Sequence, residues 1–262
     1  REAGLVNVNG GNTKPLPYAS ELAATWPDAR PVGDELQVYA PVMNENVYTN
    51  DWTGPYYGFR NVTNTFRILE DKGRLKPMGI YYHFYSGTKP EALGALHEIY
   101  KYALDQPVTP LYLSDYAERV QTLYYSALLR DDGGWRWRGI GQPHTVTVTQ
   151  ELFPDLVKST GVAGFHDVAD QRYVHLTGDS PHLFLTDTAP KGPWLAHANG
   201  VLTQWQREQV AGKWRITLGL QSHRNVEFSL AGTNRCTTSD GSARMSQADG
   251  QVRIALTGRQ TE

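Results

Sequence analysis

The residue best suited to chemistry is His83, which stands in the run Ile80-Tyr-Tyr-His-Phe-Tyr-Ser-Gly87. Histidine titrates near neutral pH, so it can give or take a proton during a reaction. The run is short, aromatic-rich and closed by Ser-Gly, a pattern that predicts a buried strand with His83 near its carboxyl end. That end of a strand carries the chemistry in α/β folds. The alternative is a core histidine whose ring is hydrogen-bonded to a backbone carbonyl.

Two further stretches have the composition of a ligand site. Residues 39–57 place Glu45, Asp51 and Trp52 among other amides and aromatic rings. Aromatic faces stack on sugar rings while amides and carboxylates bond hydroxyls, so this mixture favours carbohydrate binding over an ordinary aromatic core. Around Asn9, the sequence Asn-Gly-Gly allows either close backbone approach to a ligand or a simple turn.

Several function classes lack support in the sequence. It contains no His-x-His, His-x-x-x-His or Cys-x-x-Cys pair, no phosphate-binding glycine loop and no Gly-x-Ser-x-Gly motif. His166, His175 and His182 are too loosely spaced for a metal site and are expected on surface strands. Cys236 is the single cysteine, which excludes an internal disulfide. The net charge of −2 argues against nucleic acid and anionic membrane surfaces as partners, and no apolar run is long enough to span a bilayer.

The first part of the chain, to about residue 140, alternates apolar runs with helical patterns. A helix is expected over 62–71 with Phe66 and Leu69 facing inward. A second helix should begin near Pro90, and Ser114 should cap a third. The expected buried faces of these two helices are Leu93, Leu96, Tyr100 and Ala103 in one and Val120, Leu123, Tyr124, Ala127 and Leu128 in the other. Strand–helix alternation of this kind implies parallel strands with helical crossovers.

The period changes to two from His144 onward. Strands are expected at residues 144–149, 172–177, 182–187, 201–210, 213–220, 225–230 and 251–257. Ala211-Gly212 and Ala248-Asp249-Gly250 should close hairpins, and Asp131-Asp-Gly-Gly134 marks the approach to a domain boundary. The fold class is therefore α/β plus all-β, with one domain over residues 1–140 and an antiparallel β-sandwich over residues 141–262.

Three stretches together resemble a known family: Asn9-Gly-Gly11, residues 48–60 and residues 74–87. They are similar to the Pel-type polysaccharide deacetylases of biofilm-forming bacteria, within the NodB type of deacetylase, and the likeness covers about residues 1–130. By position, Tyr81-Tyr82-His83 resembles the Leu-x-His motif whose histidine protonates the leaving amine. Asp51-Trp52 resembles the motif that lines the groove and orients catalytic groups.

This resemblance implies a specific architecture and activity. The first domain would be the late part of a distorted (β/α) barrel belonging to an N-acetylhexosamine deacetylase of an exopolysaccharide. His83 would be its leaving-group acid, with Asp51 as the carboxylate beside it. Trp52, Asn9, Tyr82 and Glu45 are the expected substrate-binding residues.

The resemblance also implies components beyond this chain. The family uses a divalent metal, zinc or similar, held by one Asp and two His, with a further catalytic Asp. These are expected upstream of residue 1, no metal ligand is identified in this chain, and the chain alone is expected to be inactive. A periplasmic location follows from the family. The expected partners are the polysaccharide, the N-terminal portion of the same protein and a PelB-like outer-membrane protein rich in helical repeats.

Two other functions stay open on the residues alone. Glu45 and Asp51 could act as the paired carboxylates of a glycoside hydrolase. Alternatively, the β-sandwich could be a non-catalytic module that binds glycan or protein through Trp194, although Trp205 and Trp214 flank a hairpin and are expected in the core.

Overall fold

The protein is mixed and mostly β in a computed structural model, with 40% of residues in strands and 22% in helices. The structure describes residues 5–15, 21–71, 76–239, 241–248 and 250–256. The beginning of the stretch 74–87 and Thr257, the end of the last expected strand, lie outside these ranges. Within them several sheets are antiparallel and none closes into a barrel. The combination of helical and all-β regions is thus confirmed, whereas the partial barrel and the sandwich stay predictions.

Two compact units divide between Val108 and Thr109. The sequence placed a domain boundary 32 residues further along, after residue 140. Contacts group the segment 109–140 with the second unit, because its helix and hairpin pack onto the β-rich part of the chain.

Seven short strands lie in the described part of the first unit. They are β1 (Val8–Asn9), β2 (Lys14–Pro15), β3 (Leu22–Ala24), β4 (Ala29–Val32), β5 (Glu35–Tyr39), β6 (Val42–Asn44) and β7 (Gly79–Tyr81). β5 is the centre of a three-stranded sheet, parallel to β1 and antiparallel to β4. β6 and β7 form a separate parallel pair, and the chain between them is largely helical. This connection is the crossover that parallel pairing requires.

The helix expected over residues 62–71 is confirmed as α1 (Val62–Asp71), and Phe66 and Leu69 are buried in it. A 3-10 helix, Tyr56–Asn61, runs directly into α1. Its Phe59 joins Phe66 in the core of the first unit, where residues of α1 meet the following long helix. Apolar residues three and four positions apart form one buried face of α1, and this spacing is why the helix could be predicted from the sequence.

The second helix, α2 (Pro90–Leu104), begins at Pro90 as predicted, but the expected buried face is wrong in part. Leu93 and Tyr100 are 38% and 40% exposed, whereas Ala95 and Ile99 are inaccessible to solvent. The helix lies against the 3-10 helix before α1, and small residues permit that close approach. The buried face of α2 therefore includes alanines, while some of its larger apolar side chains are exposed.

The buried face of α2 can be tested through the stability of two variants. Ile99→Val should lower the free energy of unfolding by about 0.5–1.5 kcal/mol, because it removes a buried methylene from a filled core. Leu93→Ala removes more atoms, yet should change it by less than about 0.5 kcal/mol because that side chain faces solvent. Urea denaturation of both variants checks the order, and a larger loss for Leu93→Ala would contradict the assigned face.

The second unit opens with helix α3 (Leu113–Tyr124), whose N-terminal cap is Tyr112 and not the expected Ser114. The Asp115 carboxylate accepts a hydrogen bond from the backbone N–H of Tyr112 at 3.3 Å, so it caps the first turn. Val120 is buried as expected, but Leu123 is 62% exposed.

The helical pattern does not continue beyond Tyr124, contrary to the expectation for Ala127 and Leu128. These two residues lie in strand β8 (Ser126–Asp131), which pairs with β9 (Gly134–Gly139). Asp132 and Gly133 between them have φ of 39° and 82°. Two consecutive left-handed residues form the tight turn of a hairpin, and the residues on both sides of it are therefore in strands and not in a helix.

The other strands of the second unit form antiparallel pairs. They are β10 (Thr145–Thr149), β11 (Phe153–Pro154), β12 (Val162–Val168), β13 (Gln171–Leu176), β14 (His182–Leu183), β15 (Leu185–Thr186), β16 (Trp194–Ala198), β17 (Val201–Val210), β18 (Lys213–Gln221), β19 (Glu227–Ala231), β20 (Ala243–Ala248) and β21 (Gln251–Leu256). The sheets are β10-β13-β12, β16-β19-β21-β20, β14-β9-β8, β17-β18 and β11-β15. The hairpins expected at residues 211–212 and 248–250 are present as β17–β18 and β20–β21.

Arg172 ties two of these strands together inside the second unit. Its guanidinium forms two hydrogen bonds with the Asp167 carboxylate, at 2.8 and 2.9 Å, and lies over the rings of Phe153 and Phe165. A buried guanidinium needs both the paired charge and the aromatic contacts to offset its desolvation. The cluster fixes β12 against β13.

None of the helices in the described part of the chain combines the length and the apolar character required to cross a bilayer.

Candidate functional site

Glu45 and His83 meet at the carboxyl edge of the parallel pair β6–β7. Asn44 ends β6 opposite Tyr81, which ends β7, so the residues that follow both strands emerge on the same edge. The sequence placed His83 at the carboxyl end of a strand, whereas it lies two residues beyond the end of β7. The buried strand expected over the rest of the run is wrong, because β7 stops where its three-residue partner stops. Phe84 beyond it is 94% exposed.

A buried carboxylate joins three groups of the site. Glu45 Oε1 lies 2.9 Å from Nδ1 of the His83 ring and accepts the His83 backbone N–H at 3.3 Å. The Ser86 hydroxyl donates to the other oxygen, Oε2, at 2.6 Å. The Glu45 side chain is only 5% exposed, whereas that of His83 is 33% exposed. The histidine therefore has one ring nitrogen bonded inward and presents its ring partly to solvent.

The local fold explains why Ser86 reaches the same carboxylate as His83. A 3-10 helix, Phe84–Thr88, begins immediately after His83, and the Ser86 backbone N–H donates to the His83 carbonyl at 2.9 Å. Residues three apart lie above one another in a 3-10 helix. His83 and Ser86 therefore approach Glu45 from the same side.

The turn that carries Trp52 has an unusual backbone. Asn50, Asp51 and Trp52 all have left-handed φ, between 46° and 63°. Each costs about 1–2 kcal/mol in a residue other than glycine, so the surrounding structure must hold the turn in place. The Thr49 hydroxyl contributes to this, because it donates to the Glu45 carbonyl at 2.9 Å and accepts the Trp52 backbone N–H at 3.2 Å.

Three aromatic rings enclose the imidazole of His83. Trp52 and Tyr81 meet it edge-on, with centroid distances of 5.0 and 5.4 Å, and Tyr85 stacks on it at 5.1 Å with an interplanar angle of 12°. Partial desolvation, together with the Glu45 carboxylate, raises the pKa of Tyr85. The rings restrict the imidazole to one orientation.

The structure separates the predicted site residues into two groups. Trp52 and Glu45 contact His83. Asp51, by contrast, is exposed, and its side chain accepts a hydrogen bond from Asn46 at 3.5 Å. The carboxylate beside His83 is thus Glu45 and not the expected Asp51, because the left-handed turn directs Trp52 inward and Asp51 outward.

Tyr82 and Asn9 lie away from the imidazole. The Tyr82 ring packs edge-on against Tyr100 of α2, at 6.4 Å. Asn9 ends β1, in the other sheet, and its carbonyl accepts the Ala40 backbone N–H at 2.8 Å. The close approach at Gly11 is to the protein's own backbone, since a Cβ there would stand 2.6 Å from the Ala40 carbonyl oxygen. That approach serves chain packing.

The residues around His83 do not fit a metal ion. Both Glu45 oxygens already accept hydrogen bonds, and one ring nitrogen of His83 faces that carboxylate. No group of three or more His, Cys, Asp or Glu suited to a metal occurs among residues 5–15, 21–71, 76–239, 241–248 and 250–256.

The three histidines that the sequence placed on surface strands do lie on strands, but none of them is fully exposed. His182 is 8% exposed and lies 2.7 Å from Asp131, which also accepts a hydrogen bond from Arg136 at 2.7 Å. His166 and His175 are half-buried, with ring nitrogens 3.4 Å apart. The contacts of His182, Asp131 and Arg136 hold β14 against the β8–β9 hairpin.

No protein-family model, curated protein or solved structure matches this chain.

Proposed function

We propose that this chain supplies the leaving-group acid of a metal-dependent polysaccharide N-deacetylase. The observation that carries the proposal is the His83–Glu45 pair at the edge of β6–β7, with a partly exposed imidazole walled by aromatic rings. On this proposal the chain is the C-terminal portion of the enzyme. Its first part would be the end of a (β/α) barrel, and a β-sandwich would follow.

The geometry suits one proton transfer. Amide hydrolysis passes through a tetrahedral intermediate, from which the amine leaves only after its nitrogen has been protonated. The Glu45 carboxylate holds Nδ1 of His83, so Nε2 is the nitrogen that would deliver the proton to the amine. The carboxylate also stabilises the imidazolium before the transfer.

The aromatic surface suits a sugar substrate. Trp52 and Tyr81 stand beside the imidazole, and Tyr81, Tyr85 and Phe84 expose between 40% and 94% of their surface. Such faces stack on the C–H faces of hexosamine rings. The substrate would be N-acetylhexosamine units of a Pel-like exopolysaccharide.

The remaining parts of the proposal rest on the family resemblance. On the family resemblance, the metal ligands and the catalytic base would come from residues outside this chain. The enzyme would be a PelA-like periplasmic protein with a PelB-like outer-membrane partner. The chain alone would then be inactive.

The geometry disfavours the two alternatives. A glycosidase needs a carboxylate free to act on the glycosidic bond, yet Glu45 is buried with both oxygens engaged. The three tryptophans considered for glycan binding each pack against other groups of the second unit. Trp194 stacks on Phe165, Trp205 packs against the core, and Trp214 lies beneath the guanidinium of Arg207.

The products of the reaction test the proposal directly. The protein that joins this chain to the proposed upstream residues should release acetate from N-acetylhexosamine oligomers without generating reducing ends. The measurement is enzymatic acetate detection beside a reducing-sugar assay on the same samples. Reducing ends without acetate would instead establish a glycoside hydrolase, and metal-dependent acetate release by this chain alone would refute the placement of the metal site.

A further inference from the structure

Ser86 is a buried polar residue that the proposed proton transfer does not itself use. It is 2% exposed, and its hydroxyl donates to Glu45 Oε2 at 2.6 Å. It lies three residues after His83, at the first turn of the 3-10 helix Phe84–Thr88. No motif in the sequence singles it out.

The Glu45 carboxylate requires a donor at each oxygen because it is buried. A charged group removed from water is tolerated only when it is paired and hydrogen-bonded. Oε1 accepts the ring and the backbone N–H of His83, and Oε2 accepts the Ser86 hydroxyl, while the Tyr85 phenol also interacts with the carboxylate. The terminal torsion of a glutamate is soft, so loss of the Ser86 donor lets the carboxylate plane turn relative to the imidazole.

We propose that Ser86 is a positioning residue that sets the tautomer of His83. By fixing the Glu45 carboxylate, it keeps the proton on Nδ1 of the neutral ring and leaves Nε2 directed away from Glu45. The role of Nε2 toward the substrate amine rests on the proposed function, whereas the positioning of the ring does not.

The tautomer is measurable in this 262-residue chain without any substrate. Long-range ¹H–¹⁵N spectra of ¹⁵N-histidine-labelled protein, at mildly alkaline pH, distinguish Nδ1–H from Nε2–H, and loss of a signal in His83→Gln assigns the residue. The unaltered chain should show Nδ1–H. Ser86→Ala should change the tautomer ratio by roughly fivefold or more, because an unsatisfied buried oxygen is costly.

Three variants separate positioning from general disruption. Thr88→Ala removes a hydroxyl from the same 3-10 helix, one that donates to the Tyr85 carbonyl at 2.7 Å, and should leave the His83 signal unchanged. Ser86→Thr retains the hydroxyl and should retain the tautomer. If Ser86→Ala does not fold, Ser86→Cys replaces it, since a thiol is a weak donor and should produce the same shift. An unaltered His83 signal in a folded Ala or Cys variant overturns the proposal.

The kinetic consequence is tested in the longer deacetylase. Ser86→Ala should lower kcat about tenfold with little change in KM, and Ser86→Thr should restore it. A tautomer shift in a protein that never releases acetate would sustain the positioning role while refuting the proposed function. A shift accompanied by unchanged acetate release would overturn the link between the tautomer and catalysis.

Discussion

Replacing His83 with alanine is expected to slow N-deacetylation by the longer enzyme about 10²–10⁴-fold. General acid catalysis typically contributes that much, and an amide nitrogen cannot depart as an anion. The loss should fall on kcat, because the transferred proton matters in the transition state and not in ground-state binding. Steady-state kinetics with an N-acetylhexosamine oligomer measures it. Undiminished acetate release by His83→Ala would refute the assignment of His83 as the acid.

Changing the leaving group makes the same test specific to proton donation. An aryl acetate releases a phenolate, whose conjugate acid has a pKa of about 10, and it departs without assistance. His83→Ala should therefore lose less than about tenfold on the aryl ester while losing far more on the amide. His97→Ala, on the exposed face of α2, is the matched control and should stay within about twofold on both substrates. Equal losses on ester and amide would indicate a structural role for His83.

The features predicted best from the sequence are those determined by interactions between residues close together along the chain. Helix α1 was predicted with its observed bounds because its apolar stripe and its ends are local signals. The long β17–β18 hairpin was predicted for a similar reason. Its turn residues, Ala211 and Gly212, have φ of 49° and 76°, which is the geometry of a tight hairpin turn.

Features set by packing partners were missed. The buried face of α2 contains Ala92 and Ala95 because a neighbouring 3-10 helix approaches closely, and no pattern within α2 encodes that neighbour. The end of α3 depended on hairpin formation further along the chain. Neither fact is visible in the periodicity of the helix concerned.

Most residues of the candidate site were identified individually from the sequence, but their positions relative to one another were not. His83, Glu45 and Trp52 were each identified, yet Asp51 was expected in the place that Glu45 occupies. Glu45 and His83 are 38 residues apart, and only the register of β6 with β7 brings them to one edge. A left-handed turn then determines that Trp52 and not Asp51 faces the imidazole. Such a turn is rare in non-glycine residues, so sequence patterns do not predict it.

Acid should destabilise the second unit through its half-buried histidines. His166, His175 and His197 come from β12, β13 and β16 and contact one another. Burial lowers the pKa of His175 to about 4, from 6.5, despite its hydrogen bond to the Ala196 carbonyl, and burial lowers the pKa values of the other two. Asp167 and Glu227 face the cluster and oppose this shift, while Arg253 reinforces it.

The sign follows from proton counting between the folded and unfolded states. Unfolded histidine binds a proton as the pH falls through 6.5, whereas folded His175 does so only near 4. The unfolded chain therefore binds more protons within this window, and stability falls as the pH drops through it. From about pH 8 to about pH 4.5, His175 alone should cost roughly 2 kcal/mol of unfolding free energy. Above about pH 7 its contribution to the pH dependence should vanish.

Urea denaturation across this pH range, followed through signals of the second unit, measures the effect. His175→Gln retains a donor for the Ala196 carbonyl but cannot bind a proton, so it should remove part of the pH dependence even if it lowers stability at neutral pH. His144, whose pKa burial also lowers to about 4, accounts for a further part. Tyr173→Phe, in the same strand and stacked near His166, is the matched control and should preserve the pH dependence. An equally steep loss in His175→Gln would place the acid sensitivity in other groups, such as carboxylates that are paired in the folded state. The comparison of slopes, and not of absolute stabilities, decides between these origins, because both substitutions also change packing.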